Sequence, residues 1–225
     1  LHKFLLNMIG VKHSKTPVKK LRLLDDHLLT NASFLRMQGG AVRNDYKVIG
    51  KLGEGSFAEV FKVQSPTTKK YYAIKRLKKR YRSRNDINQL AEIKVLQLLQ
   101  GHPNVVKLID VLFDANNGYV ALVFELLDVN LYEFTREYRK PLEEKLALLF
   151  VYQILNAVRY MHSRGLFHRD IKPENCMINR QTYELKVVDF GSSKQEDSER
   201  PFTEYVSTRW YRAPECILTS GSYGP

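Results

Sequence analysis

Cysteine is scarce in this sequence, with only Cys176 and Cys216 among 225 residues. Two such widely separated cysteines offer neither a disulfide framework nor the paired spacing of a zinc site, which favours a reducing compartment. Long apolar runs are also missing, since no stretch reaches the roughly eighteen residues that a membrane-spanning helix needs. Residues 1–7 are too short and too interrupted to be a signal peptide. We therefore expect no membrane partner.

Acidic residues are outnumbered, with 24 Asp and Glu against 36 Lys and Arg and a net charge of +12. Such an excess is typical of nucleic-acid-binding proteins. However, residues 1–44 hold eight Lys or Arg against two Asp, so half of the excess lies in one terminal segment. Residues 69–84 interleave tyrosines with bases, either as a nucleic-acid patch or as a strand that runs into a solvated basic loop. We favour the strand and loop, and we expect no nucleic-acid partner.

The pattern of apolar and polar residues divides the chain into two regions. Residues 1–44 have weak periodicity and a Gly39-Gly40 break, so we expect a basic, poorly ordered extension. Met37, shortly before the patterned region, is a plausible start of translation. From Asp45 onward strands come first and a long helix follows, which predicts an α+β fold with two lobes.

Short β-branched and aromatic runs predict strands at residues 46–52, 59–63, 71–75, 105–112 and 119–124. A helix follows the third run, with Asp86 and Gln89 as a capping-box pair and Gly101 as the stop. Residues 142–162 predict a long helix. Its apolar side consists of Leu146, Leu149, Ile154, Ala157 and Met161.

A glycine-rich stretch separates the first two strands. Residues 53–60 read Gly-Glu-Gly-Ser-Phe-Ala-Glu-Val, and glycine lets a backbone pass over a phosphate without a Cβ in the way. Ala58 replaces the usual third glycine, and a residue this small still permits a close approach. Taken alone, the pattern favours a plain hairpin over a phosphate loop.

Lys75 is a charged residue inside an apolar strand. As a point cation it can bind the α- and β-phosphates of a nucleotide, provided that a partner holds its flexible stem. Glu92, seventeen residues later on the predicted helix, is the natural partner. The alternative is that both are solvated surface charges.

Two polar motifs complete the requirements of phosphoryl transfer. Residues 168–175 read His-Arg-Asp-Ile-Lys-Pro-Glu-Asn, and residues 188–191 read Val-Asp-Phe-Gly. Asp170 can orient an acceptor hydroxyl and Lys172 can steady the γ-phosphate, while Asn175 and Asp189 offer oxygen ligands to Mg²⁺. We interpret His168 as a packed structural histidine and not as a base. These fixed spacings together favour a kinase strongly.

Thr203 and Tyr205, separated by Glu204, lie in a polar loop before an Ala-Pro-Glu motif at residues 213–215. Two hydroxyls in such a loop can accept phosphate and recruit cationic partners such as Arg169 or Lys194. We therefore predict a regulatory phosphorylation site. The alternative is a pair of ordinary exposed residues.

On these motifs the sequence from Asp45 to the end resembles the eukaryotic protein kinase superfamily. Residues 207–215, Ser-Thr-Arg-Trp-Tyr-Arg-Ala-Pro-Glu, resemble the branch of mitogen-activated and cyclin-dependent kinases. Three further features are most similar to the subfamily of MAPK/MAK/MRK overlapping kinases (MOK). They are Thr203-Glu204-Tyr205, the two serines after residues 189–191, and the sequence Leu-Leu-Asp-Val-Asn-Leu-Tyr-Glu at residues 126–133.

The resemblance implies a bilobal kinase fold, with the N-lobe and hinge at residues 45–127 and part of the C-lobe at 128–225. It implies an active protein serine/threonine kinase that uses ATP and Mg²⁺, acts on protein Ser or Thr and depends on an upstream activating kinase. Arg212 would favour proline after the acceptor. Cytoplasm, nucleus and cilium are all compatible locations.

The resemblance also assigns roles to residues. Phe124 would be the gatekeeper, and Leu96, Leu108, His168 and Phe190 would stack as an internal apolar column. The catalytic set is Lys75, Glu92, Asp170 and Lys172. The implied nucleotide-binding set is Leu52, Gly53, Glu54, Gly55, Ser56, Phe57, Ala58, Val60, Ala73, Lys75, Phe124, Glu125, Leu127 and Met177.

Family members continue through several more helices after the Ala-Pro-Glu motif. We therefore expect the kinase domain to extend past Pro225, and residues 1–225 alone to aggregate or to lack transfer activity. Two rival functions stay open: a pseudokinase-like scaffold, which would bind Mg-ATP without turnover, and a basic nucleic-acid-binding protein, whose affinity would fall steeply with salt.

Overall fold

The sheet of the N-terminal half has five antiparallel strands and one short parallel strand. The computed structural model describes residues 29–30, 46–195 and 209–218. The strands are β1 (Leu29–Thr30), β2 (Lys47–Glu54), β3 (Ala58–Gln64), β4 (Tyr71–Leu77), β5 (Leu108–Asp114) and β6 (Tyr119–Glu125). Their order across the sheet is β1-β5-β6-β4-β3-β2, and only β1 and β5 run parallel. All five predicted strands are present, with small shifts at their ends.

The pleat of this sheet separates its two faces. Phe61, Ile74 and Val123 are buried together on one face, in successive strands. Lys75 is the next residue after Ile74 and points to the other face, since neighbouring side chains alternate across a strand. There it pairs with Val60 on β3 and with Leu122 on β6.

Two helices follow β4, where the sequence predicted one. Helix α1 (Arg84–Asn88) begins after Ser83, whose hydroxyl accepts from the Asp86 backbone N–H at 3.2 Å, while the Asp86 carboxylate accepts from the Ser83 N–H at 3.1 Å. The predicted pairing of Asp86 with Gln89 is wrong, because Asp86 closes a capping box that Ser83 opens. Helix α2 (Ala91–Leu98) starts afresh after Leu90, whose ψ of 120° interrupts the helical backbone.

The second half is mainly helical. It contains helices α3 (Leu131–Tyr138), α4 (Glu144–His162) and α5 (Glu215–Leu218), and short strands β7 (Val129–Asn130), β8 (Leu166–Phe167), β9 (Cys176–Ile178), β10 (Leu185–Val187) and β11 (Lys194–Gln195). Strands β10, β9 and β7 form one small antiparallel sheet, and β11 pairs with β8.

Helix α4 buries most of the side that the sequence predicted, with Leu146 and Ile154 partly buried against a core cluster, but the prediction is wrong at Leu149. Phe150, Gln153, Ala157 and Met161 are buried, whereas Leu149 is 40% exposed. The error at Leu149 is one helical position, or about 100° around the axis. Gln153 is polar and yet buried in this helix. Its side chain accepts a hydrogen bond from the Leu185 N–H at 2.8 Å and donates one to the Tyr183 carbonyl at 2.9 Å, so its polar atoms are satisfied.

The largest apolar core crosses both halves. Leu96 and Leu108 from the first half join Ala157, Met161 and Phe190 from the second. This shared core confirms the predicted α+β, two-lobed fold and fixes the lobes around the polar motifs. No helix in the described parts of the chain combines the length and the apolar character that crossing a bilayer would require.

Candidate active site

Lys75 joins the two lobes. Its ammonium lies 2.7 Å from Glu92 Oε1 on helix α2 and 2.9 Å from Asp189 Oδ1, which follows strand β10. Three residues that are far apart in sequence therefore meet at one cation. The sequence predicted the contact between Lys75 and Glu92, and the structure adds Asp189 to it.

The charges of Lys75 and Asp189 support each other, whereas burial raises the pKa of Glu92. Burial disfavours the Lys75 ammonium, but the Glu92 and Asp189 carboxylates outweigh this effect and raise the pKa of Lys75. Burial also disfavours the Asp189 carboxylate, yet Lys75 lowers the pKa of Asp189 below its usual value. Both groups are therefore charged at neutral pH, and half of the Asp189 side chain is exposed.

A second polar cluster lies in the loop between β8 and β9. The Asn175 side-chain amide donates to the Asp170 backbone carbonyl and to Asp170 Oδ2, both at 2.9 Å. Lys172 Nζ lies 3.1 Å from the same carboxylate. Asp170 and Asn175 are both buried, so these contacts fix the orientation of the Asp170 carboxylate.

Backbone hydrogen bonds connect the two clusters. The Val188 N–H, one residue before Asp189, donates to the Asn175 carbonyl at 3.0 Å. The Val188 carbonyl in turn accepts from His168 Nε2 at 3.0 Å. The structure therefore brings Lys75, Glu92, Asp170, Lys172, Asn175 and Asp189 into one site.

His168 is a structural residue in this arrangement. It is 3% exposed, and the backbone N–H of Asp170 donates to its Nδ1 at 3.3 Å. Since Nδ1 accepts and Nε2 faces a carbonyl, the neutral Nε2–H tautomer satisfies both contacts. Burial also lowers the pKa of His168. This geometry supports the interpretation of His168 as packed and not as a base.

The backbone at Asp189 is unusual. Asp189 adopts a left-handed conformation with φ of 60°, which is uncommon outside glycine. The next residue, Phe190, is fully buried and its ring contacts His168 edge-on with centroids 5.0 Å apart. The turn thus points Phe190 into the core while the Asp189 carboxylate faces Lys75. Leu96, Leu108, His168 and Phe190 are all buried, as the predicted apolar column requires.

The glycine-rich stretch forms the turn between β2 and β3. The Gly55 N–H donates to the Ala58 carbonyl at 2.9 Å, and Gly53 pairs with Val60. A Cβ added at Gly53 would meet nothing within 4 Å, and at Gly55 only the Ala58 carbonyl at 3.9 Å. Packing within the chain therefore does not require glycine at either position.

The tip of this turn is open to solvent. Ser56 and Phe57 are exposed, and Phe57 is 86% exposed. The side chain of Glu54 points to two cations, Lys51 and Lys78, which lower the pKa of Glu54 to about 2. Its carboxylate is therefore engaged within the sheet, and only its backbone remains for a phosphate.

The residues expected around the adenine base are divided between the two lobes. Ala73 pairs with Phe124 across β4 and β6, and Glu125 ends β6. Met177 is on β9, paired with Lys186. The remaining members, Leu52, Val60 and Leu127, are at least partly exposed.

Sequence reasoning missed Lys186. Its ammonium contacts both carboxylate oxygens of Glu125, at 3.0 and 3.1 Å, and Glu125 Oε1 also accepts from the Lys107 N–H at 2.8 Å. The pair links the end of β6 to the strand that leads into Asp189. The sequence did offer a signal for this residue, because Lys186 is a charged residue inside a short apolar strand, three residues before Asp189.

Thr203 and Tyr205, the predicted regulatory hydroxyls, lie outside the described residues. Arg212 and Glu215, from the motif after them, are described, and Arg212 is partly buried. Arg169 is described as well, and its Nε donates to the Ser192 carbonyl at 2.7 Å.

Comparison with known proteins agrees with this geometry. The family profile described as "Protein kinase domain" matches residues 46–225. MAPK/MAK/MRK overlapping kinase of Mus musculus is 49% identical over 179 residues, which cover 80% of this chain and 42% of that protein. Cyclin-dependent kinase F-3 of Oryza sativa subsp. japonica is 41% identical (80% of this chain, 40% of that protein). Serine/threonine-protein kinase MAK of Mus musculus is 38% identical (80% and 28%). The chain thus spans less than half the length of these curated relatives.

Proposed function

This chain belongs to the protein kinase family, and on that premise we propose that the protein containing it transfers the γ-phosphoryl group of Mg-ATP to Ser or Thr of other proteins. The observation that carries the proposal is the convergence of Lys75 on Glu92 and Asp189, beside a carboxylate at Asp170 that is held by Asn175 and Lys172. Phosphoryl transfer depends mainly on positioning and charge stabilisation, and these residues are arranged for both.

The nucleotide is assigned to the space between the glycine-rich turn and Lys75. Lys75 binds the α- and β-phosphates, since Glu92 holds its stem and its charge is retained. The open space where a Cβ would stand at Gly53 fits a closely approaching phosphate. Adenine is assigned to the side chains of Leu52, Val60, Ala73 and Met177, with backbone groups of Glu125 and Leu127 as its hydrogen-bonding partners and Phe124 as gatekeeper.

Asn175 and Asp189 fit a magnesium site. The Asn175 amide nitrogen is used by Asp170, which leaves the amide oxygen as the ligand atom. Asp189 has an ionised, half-exposed carboxylate. Carboxylate and amide oxygens suit Mg²⁺, which neutralises phosphate charge when it is bound.

Asp170 orients the acceptor hydroxyl. Its Oδ2 is engaged by Asn175 and Lys172, so we assign Oδ1 to the incoming hydroxyl. Lys172 lies beside this carboxylate and is placed to steady the γ-phosphate. Asp170 acts on the acceptor and not on the nucleotide, which separates its role from that of Lys75.

Regulation and substrate choice follow from the resemblance. We propose that an upstream kinase activates the protein by phosphorylating Thr203 and Tyr205, and that Arg212 favours substrates with proline after the acceptor. Thr203→Ala with Tyr205→Phe should leave a folded enzyme of low activity, and unchanged activity would remove this switch. We propose a location in the cytoplasm, the nucleus or the cilium.

The test of the function is transfer of label from ATP to paired Ser-Pro and Ser-Ala peptides by the full-length protein. We expect transfer that requires Mg²⁺ and prefers the Ser-Pro peptide. Transfer to both peptides equally would contradict the proline preference only. Binding of Mg-ATP without transfer to any protein or peptide would favour the pseudokinase instead.

A further inference from the structure

A pocket rich in basic side chains lies beside the start of helix α2 and shares no lining residue with the site described above. Its volume is about 420 Å³. The lining residues are Lys79, Arg80, Tyr81, Arg82, Asp86, Gln89 and Leu90. Lys79, Arg80 and Arg82 are all exposed, so three positive charges surround a space that is large enough for a few side chains.

These three cations are not neutralised within the described part of the chain. Arg80 donates to the Tyr119 hydroxyl at 2.9 Å and lies over its ring, and Lys79 lies over the Tyr81 ring, but neither contact removes charge. The carboxylate in the pocket, that of Asp86, accepts from the backbone N–H groups of Arg82 and Ser83 as part of the helix cap. The pocket is therefore lined by three cations and one carboxylate, so that its side chains carry a net positive charge.

The neighbouring basic side chains, in contrast, form ion pairs. Arg76 pairs with Glu59, and Lys78 pairs with Glu54 at 2.6 Å. Within this basic stretch, Arg76 and Lys78 are thus held by carboxylates of the sheet, whereas the described residues give Lys79, Arg80 and Arg82 no such ion pair.

The loop that carries the cluster is held in place. The Tyr81 N–H donates to the Gly118 carbonyl at 2.8 Å, and a Cβ at Gly118 would lie 2.7 Å from the Tyr81 carbonyl oxygen. The Tyr81 side chain packs against the main apolar core. Because the backbone around the cations is already fixed, the site loses less conformational entropy when a ligand binds.

The tyrosines of the stretch argue against a nucleic acid. A single strand needs exposed aromatic faces on which bases stack. Tyr72 and Tyr81 are partly buried in the apolar clusters, and Lys62 lies over the ring of Tyr71 at 4.8 Å. Because the pocket is small and the Tyr81 ring that lines it packs against the apolar core, a compact acidic group fits better than a continuous phosphate backbone.

We propose that this pocket binds an acidic segment of a partner protein. Arginine guanidinium groups bind carboxylates with paired hydrogen bonds, and two of the three cations are arginines. Gln89 and Leu90 line the pocket and directly precede helix α2, which carries Glu92. A bound segment would therefore restrain the start of the helix that positions Lys75. This site lies outside the proposed catalytic machinery, so its occupancy can be measured without turnover.

The test uses full-length protein and a fluorescent peptide with a run of glutamates, with the glutamine version of the peptide as a blank. We expect saturable binding of the glutamate peptide that Arg80→Gln with Arg82→Gln weakens roughly tenfold, since exposed charge contacts are each modest. Lys69→Gln with Lys70→Gln removes the same charge from the same stretch and should leave the affinity unchanged. Thermal melting confirms that both variants are folded.

Hydrogen exchange supplies a second readout. Bound peptide should slow exchange in residues 91–98 of the wild type but not of the Arg80 and Arg82 variant. Absence of peptide binding, or equal losses in the two variants, would overturn the proposal. So would tighter binding of a single-stranded oligonucleotide at the same salt that depends on Lys69 and Lys70, because the stretch would then be a nucleic-acid surface.

Discussion

The Lys75 ammonium lies 2.7 Å from Glu92 Oε1, and this contact ties the central sheet to helix α2. Glu92→Gln removes the negative charge and keeps the side-chain size. We expect kcat/KM to fall about a hundredfold, because Lys75 then loses one of the two carboxylates that hold it and stabilises the phosphates less well. Steady-state kinetics with ATP as the varied substrate measures the effect.

The matched control for that change is Glu59→Gln. Glu59 is also an ion-paired glutamate of the N-terminal half, but its partners are Lys51 and Arg76. We expect it to alter kcat/KM little. Equal effects of the two substitutions would show that the contact between Lys75 and Glu92 has no special role.

A second prediction concerns Lys186, which holds the carboxylate of Glu125. Lys186→Met removes the charge and keeps a long side chain. We expect KM for ATP to rise about fivefold with little change in kcat, since a partly exposed pair contributes about 1 kcal/mol and here positions the adenine-binding segment. Lys107→Met is the control, because Lys107 contacts Glu125 through its backbone N–H. A fall in kcat alone would contradict the assignment.

The turn at Gly118 provides a test of the fold. Gly118 has φ of 71° and a Cβ there would meet the Tyr81 carbonyl oxygen, whereas Gly101 has φ of 90° with nothing within 4 Å. Gly101→Ala should cost about 1 kcal/mol of unfolding free energy for its backbone conformation alone. Gly118→Ala should cost about 1–3 kcal/mol more because of the added clash. Denaturant unfolding measures both, and equal losses would mean that the loop at Tyr81 is not held as described.

Acid should destabilise the protein partly through His168. Burial lowers the pKa of His168 in the folded state, so below about pH 6.5 the unfolded chain binds more protons at this residue than the folded chain. The free energy of unfolding therefore falls as the pH decreases, by at most about 1.4 kcal/mol per pH unit from this group.

His168→Gln keeps a donor and an acceptor but cannot be protonated, so we expect its stability to depend less steeply on pH. His162→Gln, at an exposed histidine, is the control. A wild type that becomes more stable on acidification, or a variant with the same slope as the wild type, would contradict the neutral, buried state of His168.

Much of the site could be predicted because its residues belong to local motifs. Asp170, Lys172 and Asn175 lie within six residues, and hydrogen bonds between Asp170 and Asn175 span only that loop. Lys75 and Glu92 were predictable as a pair because a lone cation in an apolar strand needs a partner nearby. Their meeting point with Asp189 depends on how the lobes pack.

The parts that sequence reasoning missed rest on tertiary contacts. Lys186 and Glu125 are sixty-one residues apart, and no local pattern links them. Gln153 occupies a buried position on helix α4 where backbone groups of another segment satisfy its amide, and the apolar pattern of the helix does not reveal this. The error in the capping box had a different cause. Ser83 and Asp86 have the spacing of a capping box, but so do Asp86 and Gln89, and the sequence alone does not decide between the two pairs.

The measurement that tests the central claim most directly is the effect of Asp170→Asn on the full-length protein. We expect phosphoryl transfer to fall at least about a hundredfold, as the loss of a group that aligns a reacting proton predicts. ATP affinity should stay nearly unchanged, because the contacts assigned to the nucleotide come from Lys75 and the glycine-rich turn. Transfer that survives the substitution, or an equal loss of ATP binding, would contradict the role of Asp170 and the function built on it.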